Sequence, residues 1–100
     1  MVEPNSNGVQ IAIKPFVLGP WETNCYVVTA GDDRDCWVID ASFDPEGLIG
    51  HIQDLGLNPR AILLTHAHLD HIAGLSQIRQ AFPGVPVLLH PAEREWLADP

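Results

Sequence analysis

Apolar positions fall in short blocks, and their spacing changes from strand-like to helix-like partway along the chain. Residues 9–18 are a β-like run interrupted at Lys14-Pro15. A proline cannot donate to a ladder, so this run is predicted at a sheet edge or a bulge. Gly19-Pro20-Trp21-Glu22-Thr23 is a loop. Residues 24–30 and 36–41 are two further strand-like runs, with a hairpin turn predicted at Gly31-Asp32-Asp33-Arg34-Asp35 between them. At Asp44-Pro45-Glu46 an N-cap candidate, a proline at the first position and an acidic first turn predict a helix. Leu48, Ile49, Ile52 and Leu55 form its buried stripe, and Gly56 ends it. Residues 60–65 predict a short strand buried on both faces. A second helix is predicted over about 71–82, stopped by Pro83-Gly84, then a strand over 85–89 and another helix opening at 91–97. Strands first, then strand–helix alternation, predict an α+β fold with helices packed on a mixed sheet.

Composition narrows this picture. One hundred residues suit one modest domain, and 46% hydrophobic against 18% charged residues suits a folded one. The formal net charge of −8 disfavours nucleic acid and anionic membrane as partners and leaves a small-molecule substrate. Residues 1–8 read as a flexible leader with no secretory signal, and no apolar run is long enough to span a bilayer. The expectation is a cytoplasmic protein. If Ala30 opposes Cys36, Cys25 lies five residues further on and on the opposite face, so free thiols are expected, as in a reducing compartment. So few strands leave a sheet face uncovered. That predicts self-association or pairing through this face, with residues 9–100 as the front portion of a larger domain.

The chemistry concentrates in His66-Ala67-His68-Leu69-Asp70-His71. Neutral imidazole and carboxylate are ligands of zinc, and of iron or manganese in harder settings. In an extended stretch His66 and His68 point the same way. Asp70 and His71, at the start of the following helix, can face the same point from another direction. One pair could serve one metal and the other pair a second. Alternatively, Asp70 is simply an N-cap. His51 is read as part of a solvated helix face. His90 ends the strand over 85–89, on the side of the histidine loop if the two strands run parallel, and is given no ligand role.

Leu64-Thr65-His66-Ala67-His68-Leu69-Asp70-His71-Ile72-Ala73-Gly74 resembles the signature of the metallo-β-lactamase superfamily. Thr23-Asn24-Cys25-Tyr26-Val27-Val28 and Val38-Ile39-Asp40-Ala41 extend the likeness, which is strongest to glyoxalase II-like (hydroxyacylglutathione hydrolase-like) members and runs from about residue 9 to residue 97. The resemblance implies the first half of an αββα sandwich whose two halves are similar. It implies that His66 and His68 bind a first metal and Asp70 and His71 a second, most simply two zinc ions, with iron or manganese open. Asp40 would be an acceptor behind the metal loop that steadies it, or a plain turn aspartate. Gly74 would let the helix approach the sheet closely, or be a tolerated helix glycine. Trp21 would line the substrate rim or pack on a neighbouring surface. The family completes its site with two further histidines and a bridging aspartate that cannot be placed in this chain, leaving two protein ligands per metal. The implied activity is hydrolysis of a thioester, such as an acyl-glutathione, by a metal-bound hydroxide, with Asp70 orienting the nucleophile and accepting its proton. Lactone hydrolysis and single-iron persulfide oxidation are alternatives, as is a non-catalytic metal-binding or interaction module, or a fragment inactive by itself.

Overall fold

Five strands lie in one sheet in chain order, β1 (Ile11–Leu18), β2 (Thr23–Ala30), β3 (Asp35–Ile39), β4 (Asn58–Leu64) and β5 (Val87–Leu89). The computed structural model describes residues 10–31, 34–66 and 68–89. The expected leader, the helix expected over 91–97 and His90 lie outside them. β1, β2 and β3 are antiparallel neighbours, whereas β3–β4 and β4–β5 are parallel. The sheet is therefore mixed, because the first connections are only a few residues long and the later ones cross over through helices. The first crossover is α1 (Glu46–Asp54); the second holds α2 (Leu69–Ile72) and α3 (Leu75–Ala81). Pro15 sits in β1, paired only to β2, at the sheet edge where its missing donor costs no ladder bond.

One sheet face carries the helices. Cys25, Val27, Cys36, Val38, Ile62 and Leu64 point into a core shared with Leu48 and Ile52 of α1 and Ile78 of α3. The opposite face is also apolar. Along one row across the strands stand Pro15, Tyr26, Ile39, Leu63 and Leu88, and beside it Ile13, Val28, Trp37 and Ala61. Ile11, Ile13, Val17 and Leu88 are more than half exposed there. A one-sided mixed sheet with helices is what the chain was expected to form as the first half of a sandwich.

Several expectations are corrected. Thr29, not Ala30, opposes Cys36, so Cys25 lies four residues from the pairing partner and on the same face as Cys36. A register step of one residue exchanges the two faces. Both thiols are nonetheless free and buried. Asp44 does not cap α1: it takes a left-handed φ of 55°, Pro45 occupies the cap position, and no side chain caps the helix. Leu55 is 52% exposed and falls outside the stripe of Leu48 and Ile52. β4 is not buried on both faces, since Arg60 is exposed and Leu63 only half-buried. His51 is not simply solvated; its ring packs edge-on against Phe16 at 5.4 Å.

The single helix expected over 71–82 is two, with Gly74 at the break. The Gly74 N–H donates to Ala41 O at 2.7 Å, and the Ala41 N–H donates to His71 O at 2.9 Å. These two bonds staple the α2–α3 junction to the loop after β3. A Cβ on Gly74 would collide with the Ser42 carbonyl oxygen and lie 3.0 Å from Pro45 Cγ. The close approach anticipated for this glycine is real, and the helix breaks to make it.

Candidate metal centre

Asp40 follows β3 in the left-handed region, with φ of 65°. Aspartate visits that region more readily than most residues, and here it turns the carboxylate under the loop after β4. The residue is 3% exposed. Its Oδ1 accepts from the Thr65 N–H at 2.8 Å, and its Oδ2 accepts from the Thr65 hydroxyl at 2.6 Å. The same Oδ2 lies 2.9 Å from His71 Nδ1. A carboxylate is an acceptor only, so the His71 Nδ1 carries a proton, and in the neutral ring its Nε2 presents a lone pair.

Thr65 transmits the same constraint to His66. Its hydroxyl has one proton, committed to Asp40, so at 3.1 Å from His66 Nδ1 it accepts. His66 is thereby assigned the Nδ1–H form, and in the neutral ring its Nε2 also holds a lone pair that a metal could take. The His66 ring stacks on His68 at 5.5 Å with a 19° tilt and lies 5.1 Å from the His71 ring. Three imidazole rings therefore lie side by side, and two of them are tied to one buried carboxylate, His71 directly and His66 through Thr65.

Asp70, in the first turn of α2, meets them from the helix side. Its Oδ2 is 3.5 Å from His71 Nε2. Two ligands on one tetrahedral zinc, with bonds of about 2.0–2.1 Å, stand roughly 3.4 Å apart, so this pair has the spacing for a shared ion. Thr23 Oγ1 donates to the same Oδ2 at 3.0 Å. Among the described residues, no three histidine, cysteine, aspartate or glutamate side chains close on one point as a ready metal cage. The donor chemistry thus fits a divalent metal as pairs of ligands, and a complete coordination sphere needs donors beyond these.

Cys25 packs beneath the cluster but brings no reactive thiolate. Burial pushes its thiol pKa up and the carboxylates of Asp40 and Asp70 add to this, against a hydrogen bond from the Ser42 backbone. Trp21 is 59% exposed and stacks edge-on against Phe43 at 5.5 Å. That is the packing of a loop tryptophan on its neighbour. Thr23 and Thr65 were not singled out from sequence, although both stand inside quoted motifs. A threonine immediately before His66 was the available signal for Thr65. None existed for Thr23, whose partner is 47 residues away.

Residues 18–100 match the family model of the metallo-β-lactamase superfamily. The probable metallo-hydrolase YqgX of Bacillus subtilis is 40% identical over 82 residues, 82% of this chain and 37% of that protein. The hydroxyacylglutathione hydrolase GloC of Haemophilus influenzae is 37% identical over 62 residues, 62% of this chain and 29% of that protein. Among solved structures, the B3 metallo-β-lactamase BLEG-1 is 45% identical and superposes with a TM-score of 0.80, over 89% of this chain and 42% of its own. The di-iron-bound form of TTHA1623 is 41% identical with a TM-score of 0.70, over 81% and 39%. The chain therefore spans well under half the length of each of these proteins. With the family model covering most of its residues, and a mixed sheet of the same fold carrying the histidine loop, the chain belongs to the metallo-β-lactamase superfamily.

Proposed function

We propose that this chain supplies the first set of metal ligands of a metal-dependent hydrolase acting on a thioester of the acyl-glutathione type. One observation carries the proposal. The Asp40–Thr65 network fixes Nδ1 of both His66 and His71, leaving two Nε2 atoms beside His68 and Asp70. In this reading His66 and His68 hold one metal, and Asp70 and His71 a second. Zinc suits the imidazole and carboxylate donors, and iron is a second candidate because a similar structure is di-iron-bound. A divalent ion held there supplies Lewis acidity and brings the pKa of water toward neutrality. Asp40 keeps the imidazoles in the ligating tautomer, and the Asp70 carboxylate orients water and takes up its proton in passing. A thioester fits because a thiolate leaves without a strong general acid. The hydroxyacylglutathione hydrolase relative supports this substrate class.

A second reading is that the chain binds metal without turnover, alone or by docking its open sheet face on another polypeptide. The exposed apolar residues Ile11, Ile13, Val17 and Leu88 on that face are the observation behind it. Metal analysis coupled to a thioester-cleavage assay separates the two. This chain loaded with zinc is expected to carry stoichiometric metal, and a longer protein that adds the family's remaining ligands to it is expected to cleave an acyl-glutathione faster than free zinc does. Bound metal with no turnover in either protein supports the binding module. No bound metal under excess zinc in the longer protein sinks both.

A further inference from the structure

We infer that Thr23 is a positioning residue for Asp70, its hydroxyl setting the direction in which that carboxylate presents its oxygen to a metal. This rests on the proposed metal site and adds a part that the histidine–aspartate motif does not contain. Thr23 is the first residue of β2 and is 6% exposed. Its side chain is branched at Cβ, so packing at the strand start leaves the hydroxyl few rotamers. Asp70 lies across the molecule on α2, and the 3.0 Å contact between them is a bond between distant parts of the chain. The carboxylate can only accept, so the threonine donates.

The choice of oxygen gives this bond its consequence. Thr23 binds Oδ2, the atom that stands 3.5 Å from His71 Nε2. The terminal torsion of aspartate is broad and nearly two-fold, so a carboxylate on a short helix turn samples many orientations when nothing holds it. The charge-assisted hydroxyl bond selects the orientation in which Oδ2 and Nε2 converge. The ladder of β2 therefore sets one ligand of the pair, while Asp40 sets the other. A loop aspartate and a strand threonine divide the work of aiming a ligand pair that begins on a four-residue helix.

The test measures zinc affinity of the full chain by competition with a chromophoric chelator. Thr23→Val keeps the shape and removes the donor, Thr23→Ser keeps the donor, and Thr23→Ala removes it without added bulk should the valine variant fail to fold. The expected result is a loss of roughly 10–100-fold in affinity for the more weakly held zinc in Thr23→Val or Thr23→Ala. Thr23→Ser should restore wild-type affinity, and Thr23→Val should have no further effect once Asp70→Ala is in place. Wild-type affinity in the valine and alanine variants overturns the inference, as does an equal loss in the serine variant. If the wild-type chain binds no zinc, the proposed metal site fails first, and the inference falls with it.

Discussion

At Asp40 three donors meet on one buried carboxylate, and replacing it separates its structural from its chemical part. Asp40→Asn keeps the size but puts an amide NH₂ in place of one oxygen, facing either the Thr65 N–H at the Oδ1 position or the Thr65 hydroxyl and His71 Nδ1–H at the Oδ2 position. Leaving such buried donors unmatched costs about 1–3 kcal/mol, so the denaturation midpoint falls. Zinc affinity should drop about 10–100-fold as well, because the imidazole tautomers are no longer fixed. Chemical denaturation and chelator competition on the same variant check both. The cysteines give a pH prediction of a different kind. Burial, with Asp35 nearby, pushes the Cys36 thiol from 9.0 up to about 11. An unfolded chain thus gives up this proton before the folded chain does. The stabilising effect is complete below pH 9 and is lost as pH rises from 9 toward about 11. Unfolding followed at several pH values should show this decline, and Cys36→Ala should flatten it. At neutral pH both thiols should resist a maleimide until denaturant is added.

Among the elements, the helix break at Gly74 ties fold to site most directly. The two bonds between residues 71–74 and Ala41 hold α2 against the loop that carries Asp40. Gly74→Ala forces a methyl into the Ser42 carbonyl, an overpacking that costs about 1–3 kcal/mol. It should also loosen His71 from Asp40, so its zinc affinity falls along with its melting temperature. Unchanged affinity in a folded Gly74→Ala protein would mean that the staple serves stability alone. The five strand-like blocks and the edge or bulge position of Pro15 were legible in the sequence, because apolar blocks and proline chemistry report local geometry, whereas the direction of β5 beside β4 was not. Nor was the break at Gly74. It is imposed by a contact with Ser42 and Pro45, about thirty residues away along the chain, and helical periodicity runs on through it. The Cys25 face was misjudged for a related reason. Hairpin register depends on turn geometry, and a slip of one residue reverses every side chain. The histidine–aspartate cluster was readable from residue types alone, whereas the two threonines bonded to it depend on tertiary contacts.

For the molecule as a whole, the sheet face opposite the helices carries exposed apolar residues, Ile11, Ile13, Val17 and Leu88 among them. Exposed apolar surface favours association when it is contiguous and large, and the expected outcome is self-association through this face. Sedimentation of the full chain over a range of concentrations should reveal association, and Ile13→Lys, on the exposed side of the edge strand β1, should shift the species toward monomer. A chain that is monomeric throughout would show that the face tolerates water. Among the described residues no helix is long and apolar enough to cross a membrane.

In the proposed site Asp40 and Thr65 hold His66 and His71 with Nδ1 protonated, so that their Nε2 atoms take metal. Long-range proton–nitrogen correlation of the histidine rings, recorded while zinc is added to the full chain, reads this out atom by atom. His66 and His71 should begin in the Nδ1–H form, and zinc should shift the Nε2 resonance of each. Zinc uptake with these two Nε2 resonances unmoved, or binding through Nδ1, would contradict this arrangement.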